Sequence, residues 1–323
     1  MIIKLLKTLA LLFLVSTVGI PAYSTEKKAA NAAVTTGTSV PFELIDNRIF
    51  VNVFLNGQGP FKFIFDTGGG NSLSPETAQK LGLKTIAAGE ATGAGEDSVP
   101  MQSSKMAKLQ VGDLVFSDQD FLVIDYSPIK RAFQMKSFDG VFGFEILQRF
   151  VTYIDYQKKI LSFVPNTLPV KTNGYESVSF EIIGDKPVIQ ARINGLSAKV
   201  LIDTGDRSAL TVFKNLYVKK EMENIFSASP IQTTGYGIGG PIPARLGQVK
   251  LLGLTENLRL TDVIARAPTT KGGFNSEKNV NASIGTEVLK QFDVIFDYKN
   301  KLAYFKANKG FGQKTIFTKV PNP

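Results

Sequence analysis

Two copies of Asp-Thr-Gly, Asp66-Thr67-Gly68 and Asp203-Thr204-Gly205, are the residues of this 323-residue chain best suited to chemistry. Each follows directly on an apolar run, Phe61-Lys62-Phe63-Ile64-Phe65 and Val200-Leu201-Ile202. Two carboxylates brought face to face cannot both ionise cheaply, so they share a proton and titrate as a unit. Such a pair serves as acid and base at once. A given tripeptide turns up about once in several thousand positions at average composition. One copy would be an ordinary turn, whereas two copies at matching places in a duplicated sequence point to a paired site.

The elements that must position the pair are duplicated with it. Phe42-Glu43-Leu44-Ile45 is echoed by Phe180-Glu181-Ile182-Ile183, and fourteen residues after each Phe comes Asn-Gly, Asn56-Gly57 and Asn194-Gly195. Past each Asp-Thr-Gly lies a glycine-rich turn, Thr92-Gly93-Ala94-Gly95 and Thr234-Gly235-Tyr236-Gly237, then Val111-Gly112 and Leu252-Gly253. Each half closes with Val141-Phe142-Gly143 or Ser283-Ile284-Gly285, followed by an aromatic segment from Phe150 to Tyr156 or from Phe292 to Tyr298. The chain is thus one unit of roughly 130 residues written twice, long enough for each copy to own a core. Most apolar segments are four to seven residues long, β-branched or aromatic, and bounded by turn formers, as strands are. Short helices are expected over 76–81, where Ser74 can cap and Pro75 opens the first turn, over 145–149, and over its counterpart 287–291.

Composition narrows the chemistry. The chain has no histidine and no cysteine, which removes Ser-His and Cys-His nucleophiles, the usual zinc sites and any disulfide framework. Carboxylate chemistry remains, and it needs no metal or cofactor. Met1 to Lys7 is basic, Thr8 to Ile20 apolar and Pro21 to Ser24 small, the pattern of a secretory signal peptide. Export to the bacterial periplasm or beyond follows, with no stable membrane insertion after cleavage. Without Lys4 and Lys7 the chain has 35 basic and 28 acidic residues, +7, spread without a like-charge run. That is a solvated basic surface, and nothing resembles a nucleic-acid module. The expected organisation is signal peptide 1–24, flexible leader 25–38, N-terminal lobe 39–166, link 167–175, C-terminal lobe 176–308 and tail 309–323.

The order Asp-Thr-Gly, glycine-rich hairpin, two apolar residues plus Gly and a closing aromatic strand resembles the aspartic peptidases, in their pepsin-like and retropepsin-like branches. The resemblance covers residues 39 to 308. Its most specific stretches are 65–75 and Ser283 to Leu289 with Val294 to Tyr298. It implies a mainly β fold of two pseudo-twofold-related, barrel-like lobes with a cleft between them, and a monomer, since both lobes sit in one chain. It also implies a polypeptide substrate, with Asp66 and Asp203 activating a water at the axis. Thr67 and Thr204 would exchange hydrogen bonds across that axis, and Gly68 and Gly205 would let the backbone pass close behind. Gly93, Ala94 and Gly95, with Gly235, Tyr236 and Gly237, take the places of flaps. Tyr236 would hydrogen-bond across the cleft, although pepsins carry that tyrosine in the first lobe, where Ala94 stands.

The chain departs from the family after each Asp-Thr-Gly, where a Ser, Thr or Ala is usual and Gly69 and Asp206 stand here. Asp206 adds a third carboxylate near the pair, raising its proton affinity unless Arg207 or solvent neutralises it. Ser283 also replaces an apolar residue. Two further readings therefore stay open beside an exported endopeptidase: a catalytically weak or inactive peptide- or envelope-binding protein of the same fold, and a structural envelope β-protein. The last would leave the paired motifs without a role.

Overall fold

The computed structural model describes residues 37–272, 275 and 278–321. The expected signal peptide 1–24 and nearly all of the leader 25–38 lie outside the described residues. No helix among the described residues is long and apolar enough to cross a membrane.

The first half contributes β1 (Thr38–Pro41), β2 (Glu43–Ile45), β3 (Arg48–Leu55), β4 (Gln58–Phe65), β5 (Ser72–Leu73), β6 (Thr85–Ala91), β7 (Val99–Val111), β8 (Leu114–Val123), β9 (Gly140–Phe142), β10 (Phe150–Asp155) and β11 (Ile160–Pro165). The second contributes β12 (Glu176–Ile183), β13 (Lys186–Ile193), β14 (Leu196–Ile202), β15 (Leu210–Val212), β16 (Ile231–Gly237), β17 (Gly240–Gly253), β18 (Arg259–Pro268), β19 (Ala282–Ile284), β20 (Phe292–Asp297) and β21 (Leu302–Ala307). Pairing follows one scheme in both. The order β3-β4-β9-β5-β8-β7 closes on itself through β3–β7, and β13-β14-β19-β15-β18-β17 closes through β13–β17. Each half is thus a six-stranded barrel, with every strand matched by the one numbered ten higher. A further sheet, β1-β11-β10-β20-β21-β12, runs across both halves, with β10 beside β20 as its central pair. This is the mainly β, two-lobed fold.

The repeated Asn-Gly has a physical role in closing each barrel. Asn56 and Gly57 (φ 50° and 77°) and Asn194 and Gly195 (φ 50° and 84°) make the left-handed turns that join β3 to β4 and β13 to β14. The Asn56 side chain then accepts the Lys108 N–H at 3.0 Å, and the Asn194 side chain accepts that of Leu251 at 3.0 Å. Each pins the turn to the strand that seals the ring. Alternating Val51, Val53 and Leu55 point into the first barrel, and Ile189, Ala191 and Ile193 into the second, while Asn52 and Gln190 face out.

Helices are few and short: α1 (Pro75–Lys80), α2 (Ser127–Ala132), α3 (Phe144–Leu147), α4 (Lys214–Tyr217), α5 (Lys220–Phe226) and α6 (Thr286–Leu289). Ser74 caps α1, accepting the Thr77 N–H at 3.1 Å. α3 and α6 begin one residue earlier than the apolar pattern suggests, directly after Gly143 and Gly285. α2, α4 and α5 were not legible as helices, because segments this short owe their helicity to the side chains they bury, here Ile129, Leu216, Met222 and Phe226.

Candidate active site

β4 and β14 each end at an aspartate, and the loops that follow meet between the lobes. The Thr67 N–H donates to the Thr204 hydroxyl at 3.0 Å, and the Thr204 N–H to the Thr67 hydroxyl at 3.1 Å. Each hydroxyl donates onward across the axis, Thr67 to the Ile202 carbonyl at 2.7 Å and Thr204 to the Phe65 carbonyl at 2.9 Å. Both threonines are fully buried. Four reciprocal bonds in a dry setting hold the two loops in one fixed relation.

This grip sets the carboxylates against each other. Asp66 and Asp203 lie close enough that each alters the other's proton affinity. Asp66 accepts the Gly68 N–H at 2.7 Å, and Asp203 accepts those of Gly205 and Asp206 at 2.9 and 3.0 Å. Space requires a glycine at 205 and is tight at 68. A Cβ on Gly205 would lie 2.5 Å from Asp66 Cγ, and one on Gly68 would lie 3.0 Å from Asp203 Cγ. Behind the loops, the Asp66 N–H donates to Phe142 O and the Asp203 N–H to Ile284 O, both at 3.0 Å. Gly143 and Gly285 permit that crossing, since a Cβ on either would strike the backbone oxygens of the loop in front.

Burial raises the proton affinity of both carboxyls. For Asp203 the negative charges of Asp66 and Asp206 add to burial and push it well above the usual carboxylate range. Asp66 is raised less, because the Gly68 N–H, the nearby Asp203 and the charges of Lys186 and Arg48 offset its burial. Two buried carboxyls this close share one proton and titrate as a unit.

Asp206 lies beside the pair as expected, but with a different partner. Arg266, not Arg207, neutralises it, with Nη2 donating to Asp206 Oδ1 at 3.0 Å. The Asp206 carboxylate also accepts the Ser208 N–H and hydroxyl at 2.9 and 2.7 Å and the Thr211 hydroxyl at 2.9 Å. Burial pushes its carboxyl up, but the Arg266 charge and these donors outweigh burial and hold it below the usual value. Arg207 instead pairs with Asp46, as does Arg48, and donates to the Thr318 carbonyl at 2.8 Å. Both guanidinium groups lie against the Phe133 ring, 4.7 and 4.9 Å from its centroid.

Above the pair, the β6–β7 and β16–β17 hairpins meet tip to tip. The Gly95 N–H donates to Ile238 O at 2.9 Å and the Asp97 N–H to Gly239 O at 3.0 Å. Gly93, Ala94, Gly235, Tyr236 and Gly237 all line the space beneath, a cavity of about 450 Å³ that also takes in Asp66 and Asp203. The Tyr236 ring crosses to the first lobe, where it meets Phe133 edge-on at 6.4 Å. Packing, rather than the expected hydrogen bond across the cleft, is what the structure gives it. The first-lobe wall is apolar, with Tyr126 stacked on Phe138 at 4.5 Å among Ile64, Ile124, Ile129 and Val141.

Residues 51–146 match the family model described as aspartyl protease. That matched segment contains the first Asp-Thr-Gly loop, so the first half of the chain is similar to the aspartyl proteases. Among solved structures the chain is similar to a retropepsin-like aspartic protease from Rickettsia conorii, at 14% identity and a TM-score of 0.32, over 41% of this chain and 89% of that one. No curated protein matches the chain. The match of residues 51–146 supports a peptidase role.

Sequence reasoning passed over Arg48, Lys186 and Arg266, all of which line the cavity. Arg48 Nε donates to the Gly205 carbonyl at 3.2 Å, so the first lobe braces the second lobe's aspartate loop. One signal existed, a basic residue six positions after the opening Phe of each copy, Arg48 and Lys186. Arg266 had none in the spacing of motifs.

Proposed function

We propose that this protein is an exported aspartic endopeptidase that hydrolyses peptide bonds by a two-aspartate, water-mediated mechanism. The observation that carries the reading is the buried, closely apposed Asp66–Asp203 pair held by the reciprocal Thr67–Thr204 grip. Asp66, ionised, takes a proton from the attacking water as its oxygen bonds to the peptide carbonyl carbon. Asp203 donates its proton to the carbonyl oxygen, giving a neutral diol. Asp66 then passes its proton to the leaving nitrogen as the C–N bond breaks, and Asp203 regains one from a diol hydroxyl. No metal or cofactor enters. The flaps exclude bulk water while the substrate is held, and two lobes in one chain make a monomer sufficient. Residues 1–24 act as the export signal, so the mature protein begins at or near Thr25 and resides in the periplasm or outside the cell.

A second reading, a peptide-binding protein of the same fold that does not cut, has one observation in its favour. Gly69 gives Asp66 no side-chain hydroxyl, and its N–H donates to the Asp66 backbone oxygen at 3.3 Å. Digestion of a denatured protein mixture by the mature chain across roughly pH 3 to 8, beside the Asp66→Asn form, separates the two. Cleavage by the first alone supports the peptidase, and cleavage by neither leaves the binder.

A further inference from the structure

The pairing registers of the two barrels allow their cleft walls to be compared residue by residue. In the first lobe one row across the sheet reads Ile64, Val141, Ser72 and Leu122. The same row in the second lobe reads Leu201, Ser283, Thr211 and Arg266. Directly paired residues point to the same face of a sheet, and Ser283, Thr211 and Arg266 all line the cavity. Two apolar positions of the first wall, Val141 and Leu122, are therefore a hydroxyl and a guanidinium in the second.

Both replacements carry buried polar atoms without a partner. Arg266 Nη1 and Ser283 Oγ have no hydrogen-bond partner among the described residues, although Arg266 is 5% and Ser283 2% exposed. The rest of the guanidinium is held firmly, Nη2 on Asp206 and Nε on the Thr211 hydroxyl at 2.9 Å. Nη1 faces the flap strand, where a Cβ on Gly235 would lie 2.9 Å from it. A buried donor left unsatisfied is costly, and two in one wall of a binding cleft define a place for an acceptor. The local charge favours an anionic one. Arg48, Lys186, Arg207 and Arg266 line the cavity with Asp66, Asp203 and Asp206, Asp46 pairs with Arg48 and Arg207, and with one proton held by the aspartate pair the cations remain in excess.

We infer that the second-lobe wall is a carboxylate-binding subsite, so that the substrate presents an apolar side chain to the first lobe and an acidic side chain to Arg266 and Ser283 on the other side of the scissile bond. The geometry of an extended peptide requires this division, because neighbouring side chains point to opposite sides. The inference rests on the proposed peptide-cleaving site and names which peptides that site takes.

Binding tests it without depending on hydrolysis. The full mature chain with Asp66→Asn is titrated with octapeptides whose central pair is Phe-Glu, Phe-Gln or Phe-Leu, and with the same pairs reversed. In one of the two orders the Glu peptide is expected to bind at least about tenfold more tightly than its Gln and Leu counterparts, the factor that one charge-assisted hydrogen bond supplies. Adding Asp206→Ser with Arg266→Leu, which removes both charges and installs the first-lobe residue, should reverse the order in favour of Leu. Ser283→Val alone should shrink the Glu preference and serves if the charge-free variant does not fold. Glu binding no better than Gln or Leu, a preference untouched by these substitutions, or no peptide binding at all would overturn the inference. Failure of the wild-type chain to cut a peptide that it binds with the expected ranking would sink the hydrolytic reading and leave the subsite standing.

Discussion

Asp206→Asn removes one charge from a buried quartet and leaves the neighbouring groups in place, so its effect can be worked out with a sign. In the wild type, the Asp206 carboxylate favours the protonated form of Asp203, and Arg266 balances it at 3.0 Å. The substitution deletes the negative charge and leaves the guanidinium uncompensated, and both changes favour ionisation of the pair. Charges about 5 Å apart at an effective dielectric near 20 interact by roughly 3 kcal/mol, about two pK units. The upper limb of the kcat/KM profile on a single peptide should therefore move toward acid by at least about one unit, allowing for relaxation. Leaving Arg266 buried and unpaired should also cost about 3–5 kcal/mol of stability in denaturant unfolding at neutral pH. The sign with pH follows from Asp206 itself. Its folded-state carboxyl is held below the ordinary 3.8, so its contribution is present above that value and is lost as pH falls through the lower folded one. Wild type and variant should accordingly converge in stability in strong acid. Adding Arg266→Leu removes the stranded charge and should recover most of the stability and bring the limb back toward its starting position. An upper limb that stays put or moves to higher pH in Asp206→Asn, or a double variant no more stable than the single, would refute the reasoning.

Other outcomes follow from the same geometry. Thr67→Val strands the Thr204 N–H and the Ile202 carbonyl, which should destabilise the protein by about 2–5 kcal/mol and cut kcat, while Thr67→Ser should restore most of both. Asp203→Asn should abolish cleavage yet raise denaturant stability near pH 7.5 by about 1 kcal/mol or more. A carboxyl raised on folding contributes its stability below the unfolded value and loses it as pH rises through the folded one, so this gain should vanish near the ordinary 3.8. Gly95→Val would bring a Cβ to 2.5 Å from the Gly240 nitrogen. It should part the flap tips, speed hydrogen exchange at the Asp97 amide and raise KM more than it lowers kcat.

What could be read in the sequence was what the chain repeats. Asp-Thr-Gly, Asn-Gly and the two-residues-plus-Gly segments recur because each performs the same local task in both barrels, and local tasks leave fixed spacings. The partners of Asp206 did not show in that way. Arg207 is its neighbour in sequence, but the side chain pairs with Asp46 instead, whereas Arg266 arrives on β18 through the parallel pairing of Thr211 with Arg266. Only strand register, which a crossover connection sets, brings the latter to the site. Tyr236 was legible as a flap residue, but its contact with Phe133 depends on the course of the segment after α2, a helix too short to leave a periodic signal.

The central claim is that Asp66 and Asp203 act as one acid–base unit, and a double-mutant cycle on kcat/KM for one cleaved peptide across the active pH range tests it most directly. Asp66→Asn and Asp203→Asn should each lower the rate by at least about a thousandfold, and the double variant should fall little further, since groups that act as a unit are not additive. Substantial cleavage retained by either single variant, or losses that multiply in the double, would contradict it.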